Sequence, residues 1–193
     1  MSRLGTIIVL MLSLMPWKSA AAGLELPRPK AVAGLDLFSV GVRARVGEKR
    51  VLGEVAPESF NAFDLVATAR LPWQRYSAAG WGVGTRVVAG AGIMRGAGRT
   101  ALVVSAIPVL AFGSQDGRFT FDLGAGLALI SEHRFANQDF GGALQGALTL
   151  GVTVPLHRRI GVGYRFQHYS DAGAYGSNTI GADFHMLELT YRF

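Results

Sequence analysis

From residue 35 to its end the chain repeats one short-range pattern: runs of about ten residues in which apolar side chains alternate with small or polar ones. Turn-forming residues separate the runs. Alternation with a period of two is the signature of a strand, because successive side chains leave its opposite faces. Eight such runs can be drawn, at residues 35–45, 60–72, 80–94, 100–113, 118–131, 143–156, 159–170 and 183–193. An even number of strands of this length fits the smallest common barrel of outer membranes. A soluble sandwich also alternates, with its apolar face inward, so the content of the second face decides. In 118–131, Phe119, Phe121, Leu123, Ala125, Leu127 and Leu129 share one face, opposite Thr120, Asp122, Gly124, Gly126 and Ala128. In 143–156, Leu144, Leu148, Leu150, Val152 and Val154 oppose Gln145, Ala147, Thr149 and Thr153. The second face thus carries small residues and isolated charges rather than the Lys and Glu of a solvated sheet. Small side chains suit the crowded lumen of a narrow barrel with lipid outside, and 26 glycines point the same way. The expected fold is all-β, an eight-stranded antiparallel transmembrane β-barrel.

Both ends of the chain suit an exported barrel. Arg3 precedes a short apolar stretch, Leu4 to Met15, and Ala20-Ala21-Ala22-Gly23 follows as a small-residue cleavage site. The stretch is shorter than the roughly 20 residues a membrane-spanning helix needs. Residues 1–22 are therefore read as a cleaved signal peptide and 23–193 as one barrel domain. Removing Arg3 and Lys18 with the signal lowers the formal charge from +6 to +4. The remaining arginines are scattered, which disfavours nucleic acid as a partner and favours anionic lipid headgroups or sugar phosphates. No cysteine is present, so disulfides and thiolate chemistry are both excluded. In the last run Leu187, Leu189, Tyr191 and Phe193 alternate with Glu188, Thr190 and Arg192. Its terminal Phe193 resembles the signal by which the barrel-assembly machinery recognises its clients. The expected location is the outer membrane of a Gram-negative bacterium.

Chemistry concentrates in "RFQHYSDAG", residues 165–173. Ile160, Val162, Tyr164 and Phe166 form the lipid-facing set of the seventh run, and the same parity carries His168 and Ser170. Residues i and i+2 on one strand face are about 7 Å apart at Cα, within reach of an imidazole–hydroxyl pair. Two polar side chains on a lipid face are costly unless they pair or lie at the headgroup interface. Counted back from Phe193, the outward face of the eighth run begins at Asp183, beside the end of the seventh. A serine, a histidine and a carboxylate therefore meet at one rim by parity alone, as a nucleophile, a base and an orienting acid would. With both termini on the periplasmic side, that rim is extracellular.

His168-Tyr169-Ser170-Asp171-Ala172-Gly173, together with Asn178, Asp183 and "SEHRFANQDFGG" before the sixth strand, resembles the lipid A 3-O-deacylases, the PagL family. The resemblance covers the last half of the mature chain. It implies an eight-stranded outer-membrane barrel that hydrolyses the 3-O-linked acyl ester of lipid A, in lipopolysaccharide, without a cofactor or metal. It also implies Ser170 as nucleophile, His168 as general base and Asp183 as acid, with the N–H groups of Asp171 and Gly173 as the oxyanion hole and Asn178 in support. Two positions depart from the pattern. The family's acid is Glu where this chain has Asp183, and its residue after the serine is commonly Asn where this chain has Asp171. Lengthening Asp183 to Glu is accordingly expected to be neutral or beneficial.

Other combinations read more plainly. Ser131, Glu132 and His133 are consecutive, so a strand would send them to opposite faces, and a rim or loop role is expected. Glu188 falls on the lumen parity and His185 on the outward one. Arg70, Arg86, Asp122 and Arg165 are expected in lumen ion pairs, and Trp73, Tyr76, Trp81 and Tyr191 in the aromatic belts. The four histidines lack metal-ligand spacing. The competing function class is a noncatalytic structural or adhesive barrel, which would have no use for a His-x-Ser pair on its lipid face. Pairing of barrels as a homodimer is left open by the sequence.

Overall fold

The computed structural model describes residues 35–47, 49–52, 56–176 and 178–193. The expected signal peptide, residues 1–22, lies outside the described residues, as does Pro27–Lys30, where the prolines lead one to expect an irregular segment. The strands are β1 (Asp36–Gly47), β2 (Phe60–Tyr76), β3 (Trp81–Gly96), β4 (Arg99–Ser114), β5 (Thr120–Ile130), β6 (Arg134–Phe135), β7 (Gln138–Asp139), β8 (Leu144–His157), β9 (Ile160–Ser170) and β10 (Ala182–Arg192). Eight of them close into an antiparallel barrel in the order β1-β10-β9-β8-β5-β4-β3-β2, and β6 pairs with β7 outside it. Closure joins the first strand to the last, with Ser39 opposite Arg192 and Val42 opposite Leu189. No edge strand is left unpaired in the barrel, which is what lipid demands of a sheet.

The alternation read from the sequence is the alternation of burial. Along β4 every odd residue from Ala101 to Gly113 is buried and every even one is exposed. The large apolar side chains are the exposed set: Leu102 is 63% exposed and Leu127 57%. In water so apolar an exterior would aggregate; against acyl chains it is the stable arrangement. The lumen is polar and packed. Arg165 bridges Asp122 at 2.7 Å and Glu188 at 2.9 Å, and Arg43 pairs with Asp64 at 2.8 Å. A buried cation without such partners would be strongly destabilising. Arg86 lies over the Phe38 ring and donates to Thr120 Oγ1, while Arg70 pairs with Asp36 at 3.6 Å.

Two elements differ from expectation. β2 runs on past Pro72 to Tyr76, because the register with β3 shifts between Arg70 and Gln74 and so accommodates a residue with no N–H to give. The β5–β8 connection is not plain loop but carries the β6–β7 ribbon. That ribbon sends Phe135 and Phe140 against Phe60, with ring centroids 5.1 and 5.9 Å away, and Phe60 in turn meets Phe184 at 6.2 Å. All four rings are fully buried, forming an apolar plug beneath the loops at one end of the barrel.

Candidate active site

β9 and β10 deliver the polar outer rim. Pairing sets His168 directly opposite Asp183, and both lie on the outward parity. His168 Nδ1 is 2.7 Å from Asp183 Oδ1. A carboxylate oxygen accepts, so Nδ1 carries the proton and donates it, leaving the Nε2 lone pair free as a base. The second carboxylate oxygen, Oδ2, accepts the backbone N–H groups of Val51 at 2.5 Å and Leu52 at 2.7 Å. These belong to a strap, residues 49–52, that follows β1 and covers the end of β10. The strap also explains why both residues are buried although they face outward.

Ser170 lies two residues beyond His168 on the same face and is half-buried. Its partner across the sheet on β8 is Gly146, whereas that of His168 is Leu148. Ser170 is not hydrogen-bonded to His168 in this conformation. Serine hydroxyls sample three staggered wells, and catalytic hydrogen bonds commonly tighten only once substrate is bound. Gly181, just before β10, packs on both residues: a Cβ there would lie 3.0 Å from His168 Cε1 and from Ser170 Cβ, and 2.6 Å from the Tyr169 carbonyl oxygen. The Gly181 segment is held from the ribbon side. Gln138 Nε2 donates to the Ile180 carbonyl, and Ile180 N–H donates to the Asp139 carbonyl at 2.9 Å.

The 171–173 turn is closed by its own aspartate. Gly173 N–H, expected in the oxyanion hole, donates to Asp171 Oδ1 at 3.1 Å in this conformation. An aspartate side chain readily caps the backbone two residues on. Its other oxygen accepts Tyr175 N–H and Thr179 Oγ1–H, each at 2.9 Å. Slight burial pushes the Asp171 pKa up, but the N–H groups of Tyr175 and Gly173 and the Thr179 hydroxyl outweigh it and hold the carboxyl below its usual range. Asn178 is exposed in the same loop, and none of these hydrogen bonds involves it.

The remaining candidates separate cleanly. Ser131 Oγ accepts Leu102 N–H, Glu132 pairs with Arg99 at 3.0 Å and the His133 carbonyl accepts Phe140 N–H, a loop arrangement with no triad geometry. Glu188 is committed to Arg165 inside the barrel. Among the described residues no group of three or more His, Asp or Glu is placed to hold a metal ion. The strap amides, Gln138 and Gly181 escaped sequence reading. The outward parity of His185 and Tyr164 was visible, but their mutual contact was not.

Fold and site define a class of small closed barrels with an apolar outer wall and an acid–histidine pair beside a serine on that wall. The chain belongs to the lipid A 3-O-deacylase (PagL) family, a family of hydrolases whose model matches residues 61–192. Among solved structures, the crystal structure of the outer membrane enzyme PagL is similar with a TM-score of 0.63 and 18% identity, over 81% of this chain and 99% of that one. The Yersinia pestis outer membrane protein Ail, in a phospholipid bilayer nanodisc, aligns at 13% identity and a TM-score of 0.44, over 81% of this chain and 99% of that one. No curated protein matches the sequence.

Proposed function

We propose that this barrel sits in the outer membrane and removes the 3-O-linked acyl chain of lipid A by a Ser170–His168–Asp183 triad facing the outer leaflet. The observation that carries the reading is the 2.7 Å bond from His168 Nδ1 to Asp183 Oδ1, made on the lipid-facing wall two residues from a serine. A structural barrel gains nothing from a buried imidazole–carboxylate pair there, where each polar group is costly. Ser170 Oγ attacks the ester carbonyl as its proton passes to His168 Nε2. The imidazolium is stabilised by the Asp183 carboxylate, whose second oxygen is held by two backbone donors. Collapse breaks the ester C–O bond, and His168 gives the proton to the departing sugar oxygen, which leaves as the free hydroxyl. A water then repeats the sequence on the acyl-serine and releases the fatty acid. The developing oxyanion meets the start of the 171–173 turn, where the Asp171 carboxylate competes for the backbone donors.

A fluorophosphonate probe tests the nucleophile directly. The folded barrel in detergent should be labelled on the peptide containing Ser170, and His168→Ala should abolish the labelling. A label on any other serine, or undiminished labelling of His168→Ala, would contradict the triad.

A further inference from the structure

The acid has a second layer of support that ends in a second histidine. His185 lies two residues after Asp183 on the outward face of β10, opposite Phe166 of β9. Both of its ring nitrogens are engaged: Nδ1 with the Tyr164 hydroxyl and Nε2 with the carbonyl of Lys49. A carbonyl only accepts, so Nε2 carries the hydrogen and Nδ1 accepts from the tyrosine. Gly47 opposite leaves room for this ring, since a Cβ there would already lie 3.3 Å from His185 Cβ. Lys49 opens the strap whose residues two and three further on, Val51 and Leu52, give their N–H groups to Asp183 Oδ2. His185 and Asp183 therefore grip the same four-residue segment, one by its carbonyl and the other by its amides.

We propose that His185, oriented by Tyr164, is a positioning residue for the acid: it anchors the Lys49–Leu52 strap, and the strap fixes the Asp183 carboxylate toward His168. The inference rests on the triad reading above. An aspartate turned about its last bond would lose His168, and the two amides on Oδ2 are what prevents the turn. Release of Lys49 frees them. The effect falls on the step in which the imidazolium forms, so it appears in kcat rather than in KM.

The test is a double-mutant comparison on the whole barrel in detergent, with lipopolysaccharide as substrate and the heat-modifiable gel shift as the check on folding. His185→Phe should lower kcat by on the order of tenfold or more with KM little changed, since small misplacements in a catalytic constellation are that costly. His185→Gln, which can donate to Lys49 and accept from Tyr164, should recover most of the loss. In an Asp183→Ala background His185→Phe should cost almost nothing further, because its only route to the chemistry is gone. Tyr164→Phe, which keeps the ring and removes one hydroxyl, should show a smaller loss of the same kind, and it decides the matter if His185→Phe does not fold. Wild-type kcat in folded His185→Phe or Tyr164→Phe would overturn the proposal, as would an equal loss in the Asp183→Ala background. Failure of the triad itself reads out separately, as activity surviving in Ser170→Ala.

Discussion

The Asp183 carboxylate is held by backbone as well as by an imidazole. Its two oxygens accept three hydrogen bonds, from His168, Val51 and Leu52. An extra methylene would drive the carboxylate out of that clamp, so Asp183→Glu should lower turnover, contrary to the expectation drawn from the resemblance; an assay on micellar lipopolysaccharide decides it. Ser170→Ala and His168→Ala should each cost several orders of magnitude in kcat, and the double change little more, because the pair acts as a unit. Asp171→Asn should raise kcat severalfold by removing negative charge beside the oxyanion. Gly181→Ala should impair turnover without unfolding the barrel, since its methyl would enter the contact with His168 and Ser170. That Ser170, His168 and Asp183 share one face was legible in the sequence, because strand parity fixes it. Gly181 and Gln138 were not, because neither lies on an alternating run and their importance is a matter of distance.

At the scale of elements, one connection that frames the site responds to pH. The 171–179 turn depends on an ionised Asp171, whose pKa is depressed in the folded state. A depressed carboxyl contributes stability above its unfolded pKa of about 3.9 and loses it as the pH falls through the lower, folded value. Amide exchange at Tyr175 should therefore accelerate only in strong acid, and in Asp171→Asn it should lose this pH dependence. The strands were readable because alternation is enforced by lipid on one side and a crowded lumen on the other. The strap and the β6–β7 ribbon carry no such period. Two-residue strands such as Arg134–Phe135 are fixed by the aromatic cluster they join, a tertiary effect invisible to local pattern.

Over the whole molecule, the lumen ion pairs and the proposed triad lie on opposite faces of one wall. Inside, Arg165 neutralises Asp122 and Glu188; Arg165→Met would strand both carboxylates and should cost about 3–5 kcal/mol, read as a lower temperature for loss of the folded gel band. Outside, the proposed serine triad calls for no metal in its chemistry, so treatment with a chelator should leave turnover unchanged. The account of a hydrolase working from its lipid-facing wall is tested most directly by the mass spectrum of lipid A taken from cells expressing the wild-type barrel or Ser170→Ala at equal levels of folded protein. Wild-type cells should yield lipid A lighter by one 3-O-linked acyl chain, and Ser170→Ala cells unmodified lipid A. The same mass loss in both would contradict it.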